Sequence, residues 1–218
     1  ALPIFPTSQL QVFAMTTATA PKLDHRSAEI LGLVRSAFAE KGFDGASMQD
    51  LARAAGMSVG NFYRYFPSKA AIVEALISLD LAEMESDFMA VLHAPSPMVA
   101  LRALMQSRLA EKQCQADGQI WAEITAAALR KPDISQAACA MEAQVASYMT
   151  RIFAAETGLT EAEIVARFPA HAAFAITMFK SAAMLPPTTG PIRDDLTALI
   201  LRSIDIAMAE ILAAKKAV

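Results

Sequence analysis

Between positions 47 and 69 the chain presents hydroxyls, an amide, two phenols and an ammonium at helical spacing, in Ser47, Ser58, Asn61, Tyr63, Tyr65 and Lys69, with Arg26 upstream. This is an inventory for recognising a polyanion. A hydroxyl at a helix N-terminus, a phenol and an ammonium each suit a non-bridging phosphate oxygen, so Ser47, Tyr65 and Lys69 are expected to hold phosphates and Arg26 to reach a further one. Ser58, Gly60, Asn61 and Tyr63 are expected on the outward side of one helix. There, Gly60, Asn61 and Tyr63 would meet base edges or thymine methyls: Gly60 lets the backbone approach closely, and Asn61 matches the acceptor and donor of adenine. The competing chemistry is nucleophilic. Gly56-Met57-Ser58-Val59-Gly60 satisfies the G-x-S-x-G pattern of a hydrolase elbow. That elbow needs a buried strand before the serine, whereas Leu51-Ala-Arg-Ala-Ala reads as helix and no strand pattern occurs elsewhere. No catalytic residue is assigned.

The elements that must hold these groups follow from punctuation. A first helix over about 24–41 carries Ile30, Leu31, Val34 and Phe38 on one stripe and stops at Gly42. Ser47-Met48-Gln49-Asp50 is a capping-box start, and the short helix it opens ends before Gly56. Ser58 caps the next helix, with Phe62 and Phe66 inward and Tyr63 and Tyr65 left outward by the same periodicity. Pro67-Ser68-Lys69 then launches a fourth helix, running to about 92. Two short helices joined at a glycine are the pattern of a helix-turn-helix, whose second helix enters the major groove.

Composition agrees with an all-α chain. Of 218 residues 46 are alanine against 8 Gly and 11 Pro, so the best helix former dominates its interrupters. The net charge of −3 hides an asymmetry: 22–72 holds seven bases against five acids, and the remainder twelve against seventeen. A basic head on an acidic body suits a protein whose head alone meets a polyanion. Cys114 and Cys139 are too few for a disulfide framework and have no zinc-site spacing, so both read as small buried hydrophobes and the expected location is cytoplasmic. No metal or cofactor is expected. Residues 1–21 contain no charge, lack a basic n-region and are broken by Pro3 and Pro6, so they read as a disordered or added tail rather than a signal peptide. The longest later apolar stretch is interrupted by Pro169, His171 and Lys180 and is not a membrane span.

Beyond Pro97 the pattern predicts longer helices over about 98–115, 119–130, 133–156, 161–185 with a break at Pro169, and 192–214. On the last of these Leu196, Leu199, Ile200, Ile204, Ile206, Met208 and Ile211 spread over more than one stripe, and a partner chain is the simplest cover. Met105, Trp121, Met141, Tyr148, Phe174 and Met178 are candidates for lining a cavity, since adaptable Met and aromatic side chains suit an apolar or aromatic small molecule.

The run from Ala46 to Lys69, Ala-Ser-Met-Gln-Asp-Leu-Ala-Arg-Ala-Ala-Gly-Met-Ser-Val-Gly-Asn-Phe-Tyr-Arg-Tyr-Phe-Pro-Ser-Lys, closely resembles the DNA-binding segment of the tetracycline-repressor-like (TetR) family, with Ile30-Leu31 to Phe38 and Gly42-Phe43 fitting that family's first helix. The resemblance covers about 26–76; beyond Pro97 it extends only to helix number and size. It implies a ligand-responsive repressor that binds a palindromic double-stranded DNA operator as a homodimer. It also implies a helix-turn-helix domain over 22–72, a ligand-binding and dimerisation domain over 73–218, and a four-helix interface from the last two helices of each chain. The stretch before Lys22 lacks the basic residues that some relatives place in the minor groove. The alternative, an all-α carrier or dimeric interaction module without DNA binding, leaves the polar face around Asn61 unexplained.

Overall fold

Ten α-helices and one 3₁₀ turn, with no strand, build the region that the computed structural model describes, residues 25–215, the side chains of 112–116 and 187–189 excepted. The expected tail lies outside it. Helix α1 (His25–Gly45) buries Ile30, Leu31, Val34, Phe38 and Phe43 and is interrupted at Gly42, the predicted stop, three residues before its end. Ser47 caps α2 (Met48–Ala54) in the predicted box: its hydroxyl accepts from the Asp50 amide, and the Asp50 carboxylate accepts from the Ser47 amide. Gly56 turns the chain at φ 65°, a left-handed conformation that a side chain would strain. Ser58 caps α3 (Val59–Tyr65) and Ser68 caps α4 (Lys69–Leu92), each accepting from the amide three residues on.

The remaining helices are α5 (Pro97–Ala110), α6 (Lys112–Ala128), α7 (Pro132–Thr157), α8 (Glu161–Arg167), α9 (His171–Ala183) and α10 (Arg193–Leu212), with the 3₁₀ turn Pro187–Ile192 before the last. One expected boundary is wrong. The break between α5 and α6 falls at Glu111, and Gly118 lies inside α6 rather than ending a helix. A β-carbon on Gly118 would stand 2.2 Å from the carbonyl oxygen of Ala183, so the glycine is there to let α6 cross the end of α9 backbone to backbone. Cys139 also departs from expectation: it is exposed on α7, which turns that face to solvent, while the Cys114 side chain lies outside the description.

Two cores organise the molecule. The first joins the inward faces of α1 to α3 and the start of α4 to Ile120, Ile124 and Ala127 of α6 and Ile134 of α7. The second lies among α4, α5, α7, α8, α9 and α10. Helix α4 serves both, through Ile72, Val73, Leu76 and Ile77 at one end and Phe88 and Val91 at the other. At about 1.5 Å per residue it is a rod of roughly 36 Å rooted in head and body alike. None of the described helices is long and apolar enough to cross a membrane.

Substituting Gly118→Ala sets two terms against each other. Helix propensity gains about 1 kcal/mol, but the overlap is with a backbone carbonyl that cannot rotate away, at an overpacking cost of about 1–3 kcal/mol. The expected net is destabilisation, read as a fall of a few degrees in the thermal midpoint; an unchanged or raised midpoint would contradict this crossing.

Candidate nucleic-acid interface and interior cavity

On α3 the two faces are sharply divided. Phe62 is fully buried and Phe66 nearly so, their rings 5.7 Å apart, while Tyr63 and Tyr65 are 46% and 37% exposed. Gly60, Asn61 and Arg64 are exposed as well, and no atom lies within 4 Å of where a Gly60 β-carbon would stand. The two phenylalanines pin the helix by burying their rings, at about 2–3 kcal/mol each, and the outer face is left to amide, phenol and guanidinium groups. Ser58 sits at the N-cap of α3 with its hydroxyl accepting from the Asn61 amide at 3.3 Å, preceded by the α2 turn rather than a strand, so the geometry of a nucleophile elbow is missing.

Three expected phosphate holders are differently engaged. Lys69 has its three ammonium protons directed at the carbonyls of Phe43, Ala46 and Asp44, at 2.7, 3.1 and 3.3 Å. It therefore caps the orphan end of α1 instead of pointing outward, because a lysine in the first turn of α4 faces those carbonyls across the head. The Ser47 hydroxyl gives its proton to Asp50 at 2.5 Å, and Arg26 pairs with Glu29 at 2.9 Å, although both residues are exposed. The Asp50 carboxylate is held far below the usual range by the Lys41 ammonium and then by Ser47. Arg53 and Arg64, exposed at the ends of α2 and α3, are further cations on the same head, with Arg64 on the outward face of α3 as its periodicity predicts. Their signal was charge on the outward helical phase.

The head is tied to the body around the end of α1. Glu123 of α6 accepts the Phe43 amide at 2.9 Å, and Lys131, before α7, lies 4.4 Å from the Phe43 ring centre and bonds Asp44 at 2.5 Å. Arg130 adds a 3.1 Å bond to Asp44, and hydrogen bonds from Lys131 and Arg130 lower the Asp44 pKa. Higher on α1, Arg35 bonds Asp80 of α4 and Asp117 of α6 at once. None of these long-range pairings has a sequence signature.

Between α4, α5, α6, α7 and α9 lies a cavity of about 270 Å³, walled largely by Met, Leu, Ile and aromatic side chains. Met105, Trp121 and Met141 line it. Tyr148, Phe174 and Met178 do not: Tyr148 is buried with its ring stacked on Phe88 at 5.2 Å, Phe174 is on the outer face of α9, and Met178 packs into the second core. On α9 the lining residues are Ala175, Ile176, Phe179, Lys180 and Ala183, one helical phase away from Phe174 and Met178. Burial raises Asp80 to about 6 despite the Arg35 guanidinium, because Asp117 shares that cation and Glu83 adds a further negative charge.

Two outcomes are expected. Lys69→Met, which keeps the stem and removes the donors, should lower head stability by about 1.5–3 kcal/mol in thermal or denaturant unfolding; a wild-type transition would mean that the capping bonds do not form in solution. Asp80 holds its proton more tightly folded than unfolded. Its folded state therefore loses stability as pH rises from about 4 through 6, by on the order of 3 kcal/mol. Asp80→Asn should accordingly gain several degrees relative to wild type between pH 4.5 and 7, and a pH-independent difference would rule out that titration.

The model for "Bacterial regulatory proteins, tetR family" matches residues 30–76, from the second turn of α1 into α4. The HTH-type transcriptional regulator EthR of Mycolicibacterium smegmatis (strain ATCC 700084 / mc(2)155) is 40% identical over 68 residues, and the match spans only 31% of either chain. The whole fold is similar to that of Salmonella enterica GusR, at 20% identity and TM-score 0.68 over 88% of this chain and 99% of that one. It is also similar to that of AibR in complex with isovaleryl coenzyme A and operator DNA, at 16% identity and TM-score 0.57 over 83% and 98%. The divided α3 and the family match lie on the same four helices, so residues 30–76 are similar to the tetR family of bacterial regulatory proteins, and the fold as a whole is similar to that of GusR and AibR.

Proposed function

We propose that the chain is a ligand-responsive DNA-binding transcriptional regulator, a repressor that binds a palindromic operator as a homodimer and is released by a small-molecule effector. The observation that carries this reading is the outer face of α3, where Gly60, Asn61, Tyr63 and Arg64 stand in solvent while Phe62 fixes the helix from behind. A major groove admits such a helix, and Asn61 and Arg64 match base edges or phosphates. The site chemistry is that of recognition, with no catalytic role assigned to any residue.

Dimerisation through α9 and α10 is supported by the apolar side chains these helices turn outward: Phe174 at 38% exposure, Leu199 at 52% and Ile206 at 66%. A second copy covering them would pair the heads, and reading two half-sites requires recognition helices about 34 Å apart. Release is supported by the sharing of walls. Helices α4 and α6 line the cavity and also grip the head, through Lys69 and Asp80 on one and Glu123 and Asp117 on the other. A ligand that is bound better with these helices shifted lowers DNA affinity by that difference. AibR, of similar fold, is described in a complex with a ligand and operator DNA.

A gel shift on DNA from the chain's own promoter, at two salt concentrations, is expected to give a sequence-specific band that weakens with salt. Tyr63→Ala should cost about 1–3 kcal/mol of that affinity without changing the unfolding midpoint. The carrier reading predicts no specific band. Leu199→Asp combined with Ile206→Asp should give a monomeric mass in light scattering and weak operator binding; a dimer that survives would place the interface elsewhere.

A further inference from the structure

We infer that the cavity takes a lipophilic cation, an organic ammonium on an aromatic or alkyl body; this names the effector class of the regulator proposed above and rests on that reading. The argument is a mismatch of charge. Six carboxylates line the cavity, those of Asp80, Glu83, Asp87, Glu111, Asp117 and Glu142, against two lining cations, Arg108 and Lys180. Arg35 adds a third cation.

The cations are shared rather than matched one to one. Arg35 serves Asp80 and Asp117, Arg108 serves Asp87 and Glu111, and Lys180 serves Glu142. Among the described side chains, a formal excess of three negative charges therefore surrounds a space whose other walls are apolar. The excess is also ordered. Asp80, Glu83 and Asp87 recur three and four residues apart, on one face of α4, with Met84 and Phe88 on the same side. Asp80 and Asp117 have side chains only 15% and 24% exposed, so water screens them poorly.

A positive head lying along α4 would meet this line of carboxylates, with its body among Trp121, Phe179, Met105 and Met141. Ring faces attract a cation further, most strongly that of Trp. An anion of the same shape would enter against the field, and a neutral one would leave the excess unanswered.

Trp121 is the only tryptophan in the chain and lines the cavity, so its fluorescence reports occupancy directly. Three probes of matched body are titrated into the full chain: 4-phenylbutyl-trimethylammonium, 4-phenylbutanol and 5-phenylpentanoate. The ammonium should bind at least roughly tenfold more tightly than the alcohol, and the carboxylate most weakly. The double variant Glu83→Gln/Asp87→Asn leaves Arg108 paired with Glu111. It should weaken ammonium binding by roughly three- to tenfold per carboxylate while leaving the alcohol unchanged. If the variant misfolds, Glu83→Gln alone, at an exposed position, carries the same comparison. Equal or tighter binding of the alcohol or the carboxylate overturns the cation assignment, as does the absence of any response to the ammonium. A promoter gel shift on the same sample separates the two readings: a specific band without ammonium binding refutes only the ligand class, and ammonium binding without a band refutes only the regulator.

Discussion

One guanidinium stands where three structural demands meet. Arg35 projects from the first helix of the head and is shared by Asp80 on the rod-like α4 and Asp117 on α6, all three largely withdrawn from water. Charges that have left solvent keep their place only when paired and hydrogen-bonded, so the three helices are held to one mutual arrangement. Without this pairing the upper part of α1 would rest on α4 and α6 through apolar packing, which is tolerant of sliding, and only its C-terminal end would stay tied by Glu123, Lys131 and Arg130. With it, the orientation of α1 is set by the same helices that wall the cavity.

The grip at the end of α1 works by a related rule. A helix ends with carbonyls that have no partner within it. Here Lys69 satisfies those of Phe43 and Asp44 together with the carbonyl of Ala46 just beyond the helix, and Glu123 takes the Phe43 amide from the other side. Hydrogen bonds to charged groups are directional, so this end of the head follows α4 and α6 when they move. The first core reinforces the point, because it passes from Ile30 and Phe62 into Ile120 and Ile124 without a seam. A boundary drawn near residue 72 divides the chain by motif, whereas the buried apolar surface is continuous across it.

Much of the head was readable beforehand. Capping chemistry is local, so Ser47, Ser58 and Ser68 could be placed at helix starts from three-residue spacing alone, and the pair Phe62 and Phe66 set the phase that leaves Tyr63 and Asn61 outside. Residues chosen by type without phase fared less evenly. Phe174 and Met178 are the right chemistry for a cavity wall, but α9 turns Ile176 and Phe179 toward the space instead. Lys69 has the right charge for a phosphate, yet the carbonyls of α1 reach it first. The break expected between about 115 and 119 falls at Glu111 instead, and only the carbonyl of Ala183 reveals the packing role of Gly118 inside α6.

What the sequence determined by itself is therefore everything that depends on neighbours within about one helical turn: the all-α class, the caps, the glycine turn at 56, and the inward and outward sides of α3. The tertiary structure alone decided which distant groups meet, namely Arg35 with Asp80 and Asp117, Glu123 with the Phe43 amide, and six carboxylates around one apolar space. The physical reason is range. Periodicity and capping are written in the spacing of adjacent residues, whereas ion pairs and cavities depend on how helices dozens of residues apart are brought together, and no local pattern encodes that placement.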